Sequence, residues 1–154
     1  MEFKELSKEK TNTVEQRISK KWKEMDILER TIANREGKED FVFYDGPIYA
    51  NAKPGIHHVF AKTIKDAVCK YKTMQGYRVL RKIGLDTHGL PIEVNVEKKL
   101  GFKSKADIEN LGIEKFCEEC KKETDSNIDE VRRVTDMQGQ FIDVDNPYIT
   151  CSND

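Results

Sequence analysis

Two neighbouring imidazoles follow a forced turn in this chain. Pro54-Gly55-Ile56-His57-His58 brings His57 and His58 to the start of an apolar-periodic stretch that reads as a helix. A helix N-terminus offers free N–H groups and the positive end of the macrodipole, a combination that suits phosphate. Pro54-Gly55 sets the turn and lets backbone come close to a ligand. Imidazole N–H groups there would donate to phosphate oxygens. The same dipole disfavours imidazolium, so neutral donors are expected. Adjacent histidines are more often surface or cap residues, and the turn before them is what favours a ligand role. A second unusual stretch is Gly84-Leu85-Asp86-Thr87-His88-Gly89-Leu90-Pro91. Asp86 could hold a ligand ammonium. It could equally be a turn residue, with Thr87 capping the helix that follows.

These residues need a scaffold, and the pattern around them supplies one. Residues 41–44 read as a short buried strand, and a loop over residues 45–55 follows. Phe60, Ile64, Ala67, Val68 and Tyr71 recur at helical spacing, so their stripe is expected to face the core, and Gly76 ends that helix. Residues 77–80 read as a second strand. Strand, helix and strand in this order make a βαβ unit with parallel strands, in an α/β fold. Ligands of such sheets bind beyond the carboxyl ends of the strands. The loops after Tyr44 and after Arg81 both fall there. Lys62, Lys65, Lys70, Lys72, Arg78, Arg81 and Lys82 read as the wet face of the unit, with contact to a nucleic-acid backbone as the functional alternative.

Flanking segments are helical. Residues 12–34 read as one helix with an Asn12/Glu15 capping box, packing on the main fold through Trp22. Residues 90–100 form another, closed by Gly101, and Ser104 with Asp107 starts a third. Residues 113–134 read as a long helix whose acidic face is solvated, with Glu118 paired to Lys122. Residues 141–150 look like a turn into a strand. The expected divisions are a helical extension over 1–40, the βαβ unit over 41–101 and a helical segment over 102–154.

The 27 basic side chains nearly match the 28 acidic ones, so no global field seeks polyanions. Charged residues at 36% and aromatics at 8% fit a soluble, helix-rich surface. No apolar run approaches the roughly 18 residues of a membrane span, and Met1-Glu2-Phe3-Lys4-Glu5-Leu6 lacks a signal peptide's apolar core. A cytoplasmic location, no membrane partner and reduced thiols are therefore expected. Cys117 and Cys120 form a CxxC in a helical pattern, with no second pair to complete the four ligands of a structural zinc. They read as ordinary helix residues, and no metal site is expected.

Together, Tyr44-Asp45-Gly46-Pro47, Ala50-Asn51, Pro54-Gly55-Ile56-His57-His58 and Asp86-Thr87-His88-Gly89-Leu90-Pro91 resemble the isoleucyl-tRNA synthetase family of class I aminoacyl-tRNA synthetases. The tail Asp145-Asn146-Pro147-Tyr148-Ile149-Thr150 is similar to that family too. The usual His-Ile-Gly-His motif is here Gly55-Ile56-His57-His58, the form of one subgroup. The resemblance implies the first half of a Rossmann-like nucleotide-binding fold. It also implies ATP-dependent activation of isoleucine, with Mg2+ accompanying ATP, and ligation to tRNA(Ile). Gly55, Ile56, His57 and His58 would contact ATP. Gly46 and Pro47 would line the amino-acid pocket, Asp86 would pair with the ammonium, and Tyr49 and Leu85 are expected to shape specificity. Family members continue with an editing domain, a second nucleotide-fold half carrying a Lys-Met-Ser-Lys-Ser loop, and an anticodon region. The 154 residues stop short of these, so the chain is expected to be inactive alone and to meet tRNA only if the rest is supplied. The alternatives are a non-catalytic nucleotide- or partner-binding piece of a split synthetase, or a non-functional gene remnant.

Overall fold

The computed structural model describes residues 8–152. The N-terminal hexapeptide read above as no signal peptide lies outside them. One sheet holds four parallel strands among the described residues: β1 (Phe43–Tyr44), β2 (Ile48–Tyr49), β3 (Arg81–Asp86) and β4 (Asp143–Ile149). Tyr44 and Asp143 both pair with Lys82, and Ile48 and Ile149 both pair with Leu85. A strand has two edges, so β1 and β2 succeed one another along one edge of β3 while β4 runs along the other. Helix α3 (Ile56–Met74) connects β2 to β3. This is the expected α/β architecture, consistent with the first half of a Rossmann-like nucleotide-binding fold.

Strand boundaries differ from the sequence reading. The first strand is split, and Ile48 and Tyr49, expected in the loop, rejoin the sheet. Asp45-Gly46-Pro47 bulges between the two pieces, and Pro47 has no N–H to give the ladder. Gly84 of β3 makes room for the bulge. A Cβ there would sit 2.9 Å from the Asp45 carbonyl oxygen and 3.0 Å from Pro47 Cα. The second strand occupies Arg81–Asp86 instead of residues 77–80, where only an isolated bridge joins Asp40 to Arg78. Arg81, which follows the predicted strand, opens the observed one. Its buried guanidinium is met by the carbonyls of Cys69 (3.0 Å) and Phe141 (3.1 Å) and by the Thr73 hydroxyl. Burial pulls the Arg81 pKa below its ordinary value.

The N-terminal helix is two helices, α1 (Thr11–Glu24) and α2 (Ile27–Ala33), because Asp26 takes a left-handed conformation at φ 47°. Lys10 is the cap of α1, so the Asn12/Glu15 box does not form. Trp22 docks as expected, edge-on to Phe141 at 4.8 Å. Helices α4 (Leu90–Leu100) and α5 (Lys105–Leu111) match their signals. Asp107 Oδ2 accepts the Ser104 N–H at 2.9 Å, and the backbone donors of Lys103 and Ser104 hold this carboxyl below the usual carboxylate range. In α6 (Ile113–Met137), Lys122 pairs with Glu119 at 2.6 Å, not with Glu118. Thr87 does not cap α4. That position is Gly89, at φ 99°, where a side chain would be strained and would meet the Tyr49 hydroxyl at 2.8 Å.

Ile48, Ala50, Ile83 and Leu85 of the sheet region pack with Ile128 and Val131 of α6 and with Ile142 in one core cluster. The largest correction concerns α3. Its expected core stripe is exposed, with Phe60 at 68% and Ile64, Val68 and Tyr71 also open, while Lys62, Cys69 and Thr73 are buried. A buried carboxylate at Asp45 attracts the lysine face, and a helix cannot turn both faces inward. Nor do the basic residues form one wet face. Lys70 lies 4.6 Å from the Phe141 ring centroid and Lys72 lies 4.8 Å from that of Tyr77, besides the buried Arg81. No helix among the described residues is long and apolar enough to cross a membrane.

Candidate functional site

The segments that follow β2 and β3, after Tyr49 and after Asp86, lie at the carboxyl end of the parallel sheet, not directly after Tyr44 and Arg81 as the sequence suggested. Tyr49 and Asp86 are register partners, and the Ala50 N–H donates to the Asp86 carbonyl at 2.8 Å. Asn127 Nδ2 donates to the Ala50 carbonyl (3.1 Å) and Asn95 Nδ2 to that of Asn51 (2.6 Å). Helices α6 and α4 thereby pin the backbone leading to Pro54-Gly55.

Gly55 is the N-cap of α3 in extended conformation. A Cβ there would lie 2.7 Å from His57 Cε1, so glycine lets the His57 ring fold back over the turn. The Gly55 N–H donates to His58 Nδ1 at 3.0 Å. With Nδ1 accepting, the neutral ring carries its proton on Nε2, which is left to donate outward. Burial, then His57 and Lys62, lowers the His58 pKa and favours that neutral donor. The exposed His57 ring lies 3.9 Å away, centroid to centroid. Ile56 and His57 add first-turn N–H groups that have no intrahelical acceptor.

A cleft of about 180 Å3 is lined by Gly46, Pro47, Tyr49, His58, Lys62 and Lys65, among others. It joins Gly46 and Pro47 to His58. Asp45 forms its inner wall, with a side chain 1% exposed and paired to Lys62 at 3.0 Å and Lys65 at 2.7 Å. Two ammonium groups on one carboxylate leave a surplus positive charge beside His58, which suits an anion. The sequence reading missed this clamp. The three-residue spacing of Lys62 and Lys65, on one side of a helix, was the available signal. A larger cleft of about 390 Å3, lined by Trp22, Lys23, Asp136 and Phe141 among others, holds none of the expected site residues.

Asp86 ends β3 outside the Gly46–His58 cleft, and Tyr49 lies between them. Its Oδ1 accepts the Thr150 hydroxyl at 3.2 Å. The Tyr49 hydroxyl donates to the His88 carbonyl at 2.6 Å, tying the Asp86 loop to the edge of the cleft. Leu85 is buried in the core cluster and, like Asp86, does not line this cleft. Its side chain points to the face opposite Asp86, as alternation in a strand requires. No group of three or more His, Cys, Asp or Glu side chains among the described residues is placed to hold a metal ion. Burial and Glu93 push the Cys120 thiol up to about 11.

A parallel sheet with a helix-start imidazole and a carboxylate at the same end is consistent with the first half of a Rossmann-like nucleotide-binding fold. The family model described as tRNA synthetases class I (I, L, M and V) covers residues 17–154, and the chain belongs to that family. Within it, the chain is homologous to isoleucine–tRNA ligases. It is 50% identical over 139 residues to isoleucine–tRNA ligase 2 of Bacillus cereus, covering 90% of this chain and 14% of that protein. It is 44% identical over 140 residues to the isoleucine–tRNA ligase of Clostridium novyi, covering 91% of this chain and 14% of that one. The chain thus spans about a seventh of the length of these relatives. Among solved structures, the LeuRS of an Agrobacterium radiobacter agnB2 LeuRS–tRNA–LeuAMS complex shares the fold, with a TM-score of 0.66 and 23% identity, over 90% of this chain and 15% of that one.

Proposed function

We propose that this chain carries part of the aminoacyl-adenylate site of an isoleucine–tRNA ligase and works as part of a larger enzyme. Residues 41–101 are read as half of the catalytic domain, between a helical extension and a helical segment leading onward. MgATP is the nucleotide substrate. Gly55, Ile56, His57 and His58 face its phosphates, in the Gly-Ile-His-His form of the motif. Gly46 and Pro47 line the amino-acid pocket, and Asp86 pairs with the ammonium. The isoleucine carboxylate attacks the α-phosphorus, pyrophosphate leaves, and the chain's contribution is positioning and charge stabilisation. The observation that carries the reading is the cleft in which Gly46-Pro47 meets the outward Nε2–H of His58 and the surplus positive charge of Lys62 and Lys65.

The test is a chimera in which this chain replaces the matching segment of the Bacillus cereus ligase. Isoleucine-dependent ATP–pyrophosphate exchange is expected, and His58→Ala or Asp86→Ala should lower it by about a hundredfold or more. A folded but inactive chimera overturns the reading. Exchange by the chain alone overturns its dependence on further polypeptide.

A second reading, a non-catalytic piece that binds another polypeptide, is favoured by the exposed stripe Ile56, Phe60, Ile64, Tyr71 and Met74 along α3. Co-purification with a synthetase remainder would support it, and a clean monomer in the presence of that remainder would refute it.

A further inference from the structure

We infer that Thr150 is the positioning residue of the ammonium-binding half of the site, holding Asp86 and His88 through one hydroxyl. The inference rests on the reading of Asp86 as the ammonium partner. Thr150 follows β4, and no sequence pattern linked it to a loop more than sixty residues away. Its Oγ1 accepts the Thr87 N–H at 3.1 Å, lies 3.2 Å from Asp86 Oδ1 and lies 2.6 Å from His88 Nδ1.

A hydroxyl has one proton and two lone pairs. Only one assignment satisfies all three contacts. The Thr87 N–H and an Nδ1–H of His88 fill the lone pairs, and the single hydroxyl proton goes to Asp86. If the hydroxyl donated to His88 instead, two oxygens 3.2 Å apart would face each other with no proton between them. The network therefore demands that neutral His88 carry its proton on Nδ1. That is the opposite tautomer to His58, whose Nδ1 accepts from Gly55.

The consequence for the site is geometric. Among the described residues the side-chain contacts of Asp86 run through Oδ1, to Thr150 and to His88 Nδ1 at 3.6 Å. Oδ2 is left to meet a ligand. Tyr49 holds the same loop from the other side through the His88 carbonyl. Thr150 thus fixes which carboxylate oxygen faces the ligand, and couples that choice to the end of β4.

The test uses the whole chain labelled with 15N and 13C. Long-range proton–nitrogen correlations are read at about pH 8.5, roughly two units above the ordinary imidazole value. Wild type and Thr150→Ser are expected to show His88 protonated on Nδ1, and Thr150→Val to move that proton to Nε2. A wild-type His88 protonated on Nε2, or a Thr150→Val variant that keeps the wild-type tautomer, overturns the inference. Thr150→Ser guards against simple misfolding, since losing the tautomer in a folded Ser variant overturns it too. In a second arm, L-isoleucine is titrated while the Asp86 carboxylate carbon is followed. Thr150→Val should bind about tenfold more weakly or worse, with Thr150→Ser close to wild type. If isoleucine leaves wild-type Asp86 unmoved while the tautomer still follows Thr150, what fails is the ammonium reading, not the hold of Thr150.

Discussion

Replacing Asp45 with asparagine keeps the shape of the side chain and deletes its charge. The Asp45 side chain is 1% exposed, that of Lys62 8%, and that of Lys65 38%. Lys65 can turn back into water, so its share is at most about 1 kcal/mol. Lys62 cannot, and Asp45→Asn leaves its ammonium buried without an anion. Breaking a buried pair from one side costs about 3–5 kcal/mol. That is a large part of the ~5–15 kcal/mol that holds a domain together. At roughly 2–4 °C per kcal/mol for a chain of this size, the midpoint should fall by about 6–20 °C. Lys62→Met should cost less, because Asp45 keeps Lys65. The double variant should recover at least about 1.5 kcal/mol relative to the sum of the singles. Urea unfolding of the four proteins measures all of this. An Asp45→Asn variant within about 1 kcal/mol of wild type, or strict additivity in the double, would refute the clamp.

Three further outcomes follow from the geometry. Gly84→Ala meets backbone atoms of the bulge, whereas Gly55→Ala meets only the swinging His57 ring. The first should cost about 1–3 kcal/mol and the second mainly shift the His57 resonances, and equal losses would contradict the bulge. Because the folded His58 pKa is lowered, the unfolded chain takes up the proton first on acidification. Its contribution is complete above the ordinary imidazole value of about 6.5 and is lost as pH falls through the folded value. His58→Gln should flatten the stability profile between about pH 5 and pH 7, and an unchanged slope speaks against the Gly55–His58 cap. Finally, a thiol reagent at about pH 8 should label exposed Cys117 and Cys151 well before buried Cys69 and half-buried Cys120, whose pKa values are raised. Labelling of all four at one rate would contradict the packing of α3 and α6.

Local chemistry made much of this molecule legible from residue types alone. Pro54-Gly55 ahead of His57-His58 announced a helix start with donors, and α3 begins at Ile56. Gly101 stopped α4, and Ser104 with Asp107 opened α5, because caps act through neighbours three or four residues apart. The motif residues identified the family for the same reason, since type and order survive without coordinates.

Long-range partners decided the rest. The predicted strand stopped at Leu80, while the observed one begins at Arg81, whose guanidinium is held by the distant carbonyl of Phe141 and by that of Cys69. Periodicity drew an apolar stripe on α3 correctly but assigned it inward. A hydrophobic pattern states that a face is apolar, not which way it points, and the buried carboxylate of Asp45 outweighed it by demanding Lys62. Thr150 ended a tail segment similar to the family, but it became the partner of Asp86 only when β4 paired with β3. Charge and hydrogen-bond satisfaction depend on who is nearby in space, and spacing along a chain carries that information only across a turn or two.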